Sequence, residues 1–466
     1  MGWVNLGMAK VLGGALGLSK WGSLIACLLI TFGYTVISGY WGVAATDGLQ
    51  YLFEMGGAII LAVVAVEAVG GIDAMLAKIG AAHPAGTPPG TVFGNSHAVV
   101  SFFPHGGTLW SLPIITLGAL LALNWWASWY PGAEPGGGGY VVQNMLACRN
   151  ERESRLAALY FNIAHYAIRS WPWVVTALCS LAIYGGSVRN AAGAEDPGLN
   201  YVRMMVDYLP VGLRGLMIAS FAAAYMSTQA TQMNWGSSYL VNDLYRRFLR
   251  RDQSEEHYVA VSRLATFLTL ILSLIATYFM DQISMAWELL LMLGAGTGLV
   301  YILRWYWWRI NAWSEVSAMA TAFIVSLSLR FAGRSHPKLD TGTAEGFAVN
   351  LILTTAITTV VWLAVTLLTR AESRDVLSAF YLKVRPAGPG WRPVSRWTGV
   401  DPPRGELGRN FIYWILGILF VYSIMFGTGS LIFHEQGFLM VYGVLALVSG
   451  GLLVTMMVRE RETVNP

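Results

Sequence analysis

Charged residues are scarce in this chain, and their scarcity excludes most soluble folds. Asp, Glu, Lys and Arg make up 12% of its 466 residues, whereas an ordinary globular domain carries about 25%. Apolar residues make up 55% and the mean hydropathy is +0.52. This balance predicts an integral membrane protein.

Cysteine is rare, and two well-known hydrolase motifs are missing. Three cysteines without a Cys-x-x-Cys pair indicate neither a disulfide framework nor a zinc site. The chain has no His-Glu-x-x-His motif and no Gly-x-Ser-x-Gly motif. We therefore expect no enzymatic activity, and we expect no nucleic-acid partner.

Long apolar runs recur along the whole chain. Spanning about 30 Å of hydrocarbon takes roughly 20 helical residues, and eleven runs approach or exceed that length. They lie at 21–40, 48–70, 110–147 (interrupted), 157–184, 210–240, 258–280, 284–303, 316–332, 347–369, 409–432 and 438–458. A short apolar stretch, Leu6–Leu16, precedes them. The pattern predicts an all-α, polytopic membrane protein with about eleven transmembrane helices.

Basic residues cluster in alternate loops, which predicts the orientation. The clusters are "CRNERESR" (148–155), "YRRFLRR" (245–251), "RWYWWR" (304–309), "TRAESR" (369–374) and "RERE" (459–462). Because Lys and Arg favour cytoplasmic loops, we expect a multi-pass protein of the inner cell membrane with a cytoplasmic C-terminus. The Gly-, Pro- and His-rich residues 71–109 would then be an external loop, and 370–408 a basic cytoplasmic linker.

A stretch rich in Pro and Gly interrupts one membrane-length segment. Pro131, Pro135 and Gly136–Gly139 cannot sustain a continuous helix. Backbone left unpaired at membrane depth is tolerated where it lines a cavity, and broken helices build ion and solute sites in secondary transporters. The segment is read as a broken helix near 131–139; an ordinary loop between two shorter helices is the alternative.

The run "AAAYMSTQATQMNWGSSYL" (222–240) places many polar side chains in an apolar helix. Ala224, Ser227, Thr228 and Thr231 fall on one helical face. Neutral hydroxyl and carbonyl oxygens suit a hard cation such as sodium. Hydroxyls that only bond to their own backbone, or that hold helices together, are the alternative. Spacing alone does not decide between the two.

Four pieces of the chain resemble the sodium:solute symporter family, in the order that the family has them. The pieces are "YTVISGYWGVAATDGLQ" (34–50), "GYVVQNMLACRNERES" (139–154), "AAAYMSTQATQMNWGSSYLVNDLY" (222–245) and "AFYLKVRP" (379–386). The resemblance implies a leucine-transporter-like fold of two inverted five-helix repeats. It divides the chain into 1–70, a remnant of the first repeat; 71–109, the external loop; 110–303, the second repeat; and 304–466, accessory helices that include the linker 370–408.

The resemblance also implies site residues. The span 210–240 matches the eighth core helix, so the sodium ligands would be the Ala224 carbonyl and the hydroxyls of Ser227 and Thr228. The broken segment matches the sixth core helix. Asp47 matches an acidic position on the cytoplasmic sodium exit route. Sodium is the only bound ion that we expect.

The position of the first matching piece departs from the family. In relatives it follows the first three helices of the first repeat, whereas here it begins at residue 34. The resemblance therefore implies that the first core helix, with the remaining sodium ligands, is not part of this chain. A late start codon, a fragment, or a second polypeptide that supplies the N-terminal segment would each account for the difference.

Ionisable residues inside membrane segments are candidates for solute binding, because their burial is expensive. Arg169 lies near the centre of the span 157–184, with His165 one turn earlier, and Glu288 lies in the span 284–303. Arg169 and Glu288 resemble, by approximate position, places where sugar-transporting relatives contact their solute. A structural ion pair or snorkelling to water is the alternative. Tyr140 completes the set of solute-binding candidates.

The sequence thus predicts sodium-coupled transport of a small polar solute, such as a sugar or an amino acid, by alternating access. The lipid bilayer and the solute are the expected partners. Two alternatives remain open at this point. One is a non-transporting accessory or sensor protein of the membrane, and the other is a partial chain that needs a second polypeptide.

Overall fold

The computed structural model describes most of the chain. The described residues are 1–82, 114–119, 122–123, 126, 145, 148–186, 188–189, 196–280, 283–341, 343–403 and 405–464; the side chains of 30, 34–49, 284–288, 344 and 458–464 are outside the description. Most of these residues are helical, and none of them lies in a β-strand. The predicted all-α class is confirmed.

The described residues contain the following α-helices, in chain order. They are α1 (Gly2–Leu16), α2 (Lys20–Val69), α3 (Ile72–Ala82), α4 (Ile114–Ala119), α5 (Glu151–Phe161), α6 (Ser170–Tyr184), α7 (Gly198–Tyr208), α8 (Val211–Ser238), α9 (Glu255–Tyr278), α10 (Ile283–Leu303), α11 (Ala312–Gly333), α12 (Ala344–Leu368), α13 (Arg374–Val384), α14 (Arg392–Thr398), α15 (Glu406–Ile432) and α16 (Gln436–Val464). Two π-helical turns, Asn162–Ile168 and Tyr239–Leu249, follow α5 and α8.

Local sequence explains several helix ends. The side chains of Asn150 and Ser254 accept hydrogen bonds from the backbone three residues on, which satisfies one of the free N–H groups at the starts of α5 and α9. Asn311 and Ser314 form a reciprocal capping box at the start of α11. Gly17 ends α1 with a φ of 68°, a conformation that glycine adopts without strain.

Six of the described helical segments are long and apolar enough to cross a membrane. They are Gln50–Val69, Glu255–Tyr278, Ala312–Gly333, Glu345–Leu368, Glu406–Ile432 and Gln436–Met457. They confirm a multi-pass membrane protein, and each of the six matches a predicted span within a few residues. Gln50–Val69 is the C-terminal part of α2. The polar helix α8 has the length of a span but is not among the six, because residues such as Gln229 and Asn234 lower its hydropathy.

The backbone of α2 differs from the sequence prediction. Two spans, 21–40 and 48–70, were expected with a connection at 46–50, yet the helix continues from Lys20 to Val69. At 1.5 Å per residue its 50 residues extend about 75 Å. The expected connection contains no proline, and a single glycine, Gly48, costs a helix only about 1 kcal/mol. Composition therefore did not force a break.

The chain forms two compact units that alternate along the sequence. The first comprises residues 1–84 and 169–286, and the second comprises 85–168 and 287–466. In the first unit, α8 packs against α1, α2 and α9, and α7 packs against α1 and α6. In the second, α11 packs against α12 and α15 against α16. The predicted division into repeats stays a prediction.

The region 370–408, expected to be a linker, folds into a small subdomain of the second unit. Leu377 and Tyr381 of α13 pack with Trp391 and Val394 in a buried cluster. Trp308, from the turn after α10, packs against this cluster. The fold was not evident from the sequence because two short helices carry too few apolar residues to indicate a core.

Two glycines let the subdomain contact the turn after α10. A Cβ at Gly388 would lie 2.4 Å from the Tyr306 Cα, and one at Gly390 would lie 2.3 Å from the Tyr306 carbonyl oxygen. We expect Gly390→Ala to destabilise the protein by about 1–3 kcal/mol, because the backbone of the turn must shift. Thermal unfolding in detergent measures the change. Gly408→Ala is the control, since its Cβ meets no atom within 4 Å, and equal midpoints for both variants would contradict the prediction.

Candidate functional site

The polar helix α8 borders a cavity of about 450 Å³ in the first unit. The cavity lies among α1, α6, α7 and α8. Ala224 and Thr228, one turn apart on α8, both line it. Ser227 is half-buried on the same helix and is not among the lining residues. The structure thus brings two of the three predicted sodium ligands to one cavity wall, as their i, i+4 spacing requires.

Aromatic rings form much of the remaining wall. Trp173, Tyr201, Phe221 and Tyr225 line the cavity together with Trp3. Tyr201 stands edge-on to Phe221, with ring centroids 5.9 Å apart. A largely apolar cavity with a few placed polar groups is the usual form of a small-molecule site.

Among the described residues that line the cavity, Lys10 has the one charged side chain, and its charge is already neutralised. The Lys10 ammonium lies 2.7 Å from the Asp196 carboxylate, and the two side chains are 11% and 7% exposed. Asp196 also accepts a hydrogen bond from the backbone N–H of Gly198, at the start of α7. The pair therefore ties α1 to α7 and leaves the wall without net charge.

A second buried ion pair lies behind the aromatic wall. Arg169 donates to Glu54 of α2, and the two side chains are 20% and 13% exposed. The guanidinium lies 4.9 Å from the ring centre of Trp173, which lines the cavity, and 5.8 Å from that of Tyr51. The sequence identified Arg169 as a candidate but did not identify its partner Glu54.

The phenol of Tyr201 is an unpartnered polar group beside this pair. Its oxygen is buried and makes no hydrogen bond to any described atom. Burial raises the pKa of Tyr201, and the nearby Glu54 carboxylate raises it further. Tyr201 therefore keeps its proton near neutral pH, and the residue lines the cavity. Nothing in the local sequence around Tyr201 signalled this position.

The other predicted site residues are placed less fully. The backbone of Asp47 is part of α2 and that of Glu288 is part of α10, but the side chains of both residues lie outside the described part of the structure. Tyr140 lies wholly outside it. His165 lies in the π-helical turn of the second unit, where its ring stacks on Phe161 at 5.0 Å. The broken segment near 131–139 also lies outside the described residues. These assignments stay predictions.

Comparison with known proteins places this chain in a family of transporters. A model of the sodium:solute symporter family matches residues 5–322. The sodium/glucose cotransporter of Vibrio parahaemolyticus is 24% identical over 72% of this chain and 63% of its own length. The sodium/mannose cotransporter of Bos taurus is 28% identical over 53% of this chain and 42% of its own length. The sodium/myo-inositol cotransporter 2 of Oryctolagus cuniculus is 26% identical over 65% of this chain and 47% of its own length. The chain therefore spans less than two thirds of the length of these relatives.

A solved structure supports the same fold. The substrate-bound, outward-open structure of a Na⁺-coupled sialic acid symporter matches 79% of this chain and 72% of its own, with a TM-score of 0.52 and 18% identity. The resemblance inferred from four ordered sequence pieces is thus confirmed, and membership of a family of transporters agrees with the expected lack of enzymatic activity. The chain belongs to the sodium:solute symporter family.

Proposed function

We propose that the protein carrying this chain is a sodium-coupled symporter that accumulates a small, neutral, sugar-like solute by alternating access. The observation that carries the proposal is the cavity beside α8, whose wall contains Ala224 and Thr228. Neutral oxygens there can replace part of the hydration shell of sodium without burying a negative charge. One charge moving inward across 100 mV releases about 2.3 kcal/mol, which is available to drive solute accumulation.

The proposed sodium ligands are the Ala224 carbonyl oxygen and the hydroxyls of Ser227 and Thr228. Asp47 is proposed to lie on the route by which sodium leaves towards the cytoplasm. We place the protein in the inner cell membrane with its C-terminus in the cytoplasm, because the basic loops alternate with poorly basic ones.

The charges around the cavity favour a neutral solute. Lys10 is paired with Asp196, and Arg169 with Glu54, so neither cation needs an anionic ligand for charge balance. The aromatic rings of the cavity wall suit a solute with an apolar face, such as a sugar ring. The relatives named for glucose, mannose and myo-inositol make neutral polyols the first solutes to test. Tyr140, His165, Arg169 and Glu288 remain proposed solute contacts.

Uptake into proteoliposomes tests this function. The protein is reconstituted, and accumulation of radiolabelled glucose, mannose and myo-inositol is measured with an inward sodium gradient and with choline in its place. We expect at least one of these polyols to accumulate several-fold above the choline level. Equal uptake in sodium and choline for all of them, with a negative inside potential imposed, would contradict the proposal.

A further inference from the structure

A buried cluster of amide and hydroxyl side chains joins α8 to α1 and α9. Asn5 of α1, fully buried, lies at its centre. The Asn5 Nδ2 donates to the Thr277 Oγ1 at 3.0 Å and to the Ser273 Oγ at 3.3 Å. The Asn5 Oδ1 accepts from the Gln229 Nε2 at 2.5 Å and from the Tyr225 hydroxyl at 3.1 Å. We call these five side chains the Asn5 cluster.

The hydrogen bonds of the Asn5 cluster leave one orientation for the Gln229 amide. Both N–H donors and both acceptor positions of Asn5 are used. The Gln229 Nε2 donates a second bond, to the Met1 carbonyl at 3.1 Å. Turning the Gln229 amide over would set its oxygen against the oxygens of Asn5 and Met1, so the donating end must face α1.

The accepting end of Gln229 is left without a partner. Its Oε1 is buried and makes no hydrogen bond to any described atom, and the side chain is fully buried. An unsatisfied buried acceptor costs about 1–3 kcal/mol. The amide therefore stabilises the packing of α8 against α1 only through the two hydrogen bonds that it donates.

The same contacts fix which residues of α8 face the cavity. Ala224 and Thr228 form one row along α8, and Tyr225 and Gln229, each the next residue in the chain, form a second row. Because successive helical residues are rotated by about 100°, the two rows lie about 100° apart around the helix. Holding Gln229 against Asn5 sets the rotation of α8, and that rotation turns Thr228 towards the cavity. If α8 turned by one residue position, another side chain would take the place of Thr228.

We propose that the Asn5–Gln229 pair is a positioning device for the sodium site, with Gln229 as the positioning residue on α8. The inference rests on the proposed function for the identity of the ion at Thr228. The geometric part of the inference, the direction in which α8 presents Thr228, rests on the hydrogen bonds of the Asn5 cluster and not on the identity of the ion. Gln229 does not contact sodium in this arrangement; it acts through the direction in which it holds Thr228.

Gln229→Met, which keeps the length and removes the amide, tests the sodium step. We expect the sodium concentration for half-maximal uptake to rise about five- to tenfold, because the substitution removes one to two buried hydrogen bonds that hold α8 in place. The solute concentration for half-maximal uptake, measured at saturating sodium, should stay within about twofold. Gln232→Met is the matched control, because Gln232 is a half-buried amide of the same helix outside the Asn5 cluster, and it should leave both values unchanged.

Thiol labelling gives a readout that does not depend on transport. In a protein whose Cys27, Cys148 and Cys179 are replaced by Ser, Thr228→Cys is exposed to a small methanethiosulfonate reagent. Adding Gln229→Met should change the rate of labelling, because Thr228→Cys turns relative to the cavity. Adding Gln232→Met should not. If Gln229→Met does not fold, Thr277→Val, which removes one bond of the Asn5 cluster at a buried residue outside the cavity wall, replaces it in both experiments.

The outcomes separate this inference from the proposed function. Unchanged sodium dependence in both Thr228→Ala and Ser227→Ala would overturn the sodium site itself. If Thr228→Ala loses sodium dependence while Gln229→Met (or its replacement Thr277→Val) labels and transports like Gln232→Met, only the positioning role is overturned. A raised sodium requirement together with altered labelling supports it.

Discussion

Thr228→Ala is expected to abolish sodium-dependent uptake while the protein still folds and enters the membrane. Thr228 lines the cavity and is half-buried, so removing its hydroxyl opens no large void but takes one oxygen from the proposed sodium site. A bond to a charged group contributes about 1.5–3 kcal/mol, which lowers sodium affinity roughly 10- to 150-fold. Ser227→Ala is expected to act in the same direction.

Uptake in proteoliposomes at increasing sodium concentrations measures this effect. Thr228→Ser keeps the hydroxyl and should retain sodium dependence, whereas Thr228→Val keeps the shape and should lose it. Thr231→Ala is the control on the same helix, because Thr231 is buried and does not line the cavity. Normal sodium dependence in both Thr228→Ala and Ser227→Ala would remove the proposed site from α8.

The sequence was informative where a signal is local. The helix predicted at 210–240 is observed at Val211–Ser238, because Pro210 marks its start and apolar residues continue without another proline. The spacing of Ala224 and Thr228 predicted a shared face, and both line the cavity. Periodicity needs only the residues of one helix, so these parts of the site could be found without coordinates.

Partners distant in sequence could not be found in the same way. The role of Gln229 has no local signal in the sequence, because its partner Asn5 lies 224 positions away. Glu54 likewise carries no local signal of a role. In the structure it lies well inside the continuous helix α2, against Arg169, 115 positions away. Which carboxylate meets which arginine depends on packing between helices, and no pattern within either helix encodes it.

Glu54→Leu is expected to destabilise the protein strongly, by about 2–4 kcal/mol. The substitution leaves the Arg169 guanidinium largely buried without its carboxylate, and breaking a buried pair from one side is costly. The estimate is reduced because a fifth of the Arg169 side chain remains exposed. Thermal unfolding in detergent, followed by tryptophan fluorescence, measures the loss. Glu255→Gln, which alters the exposed pair with Arg246, should change the midpoint little.

The double variant Glu54→Leu with Arg169→Leu distinguishes a structural pair from a solute contact. Apolar residues of similar volume can replace a buried ion pair at little cost, so stability should largely return. If Arg169 also contacts the solute, this stable double variant should still show weakened uptake, because Trp173 loses the cation that lies 4.9 Å from its ring centre at the cavity wall. Full uptake in the double variant would assign the pair to structure alone. A thermal unfolding midpoint equal to that of the wild type for Glu54→Leu would contradict the expected cost of breaking the pair.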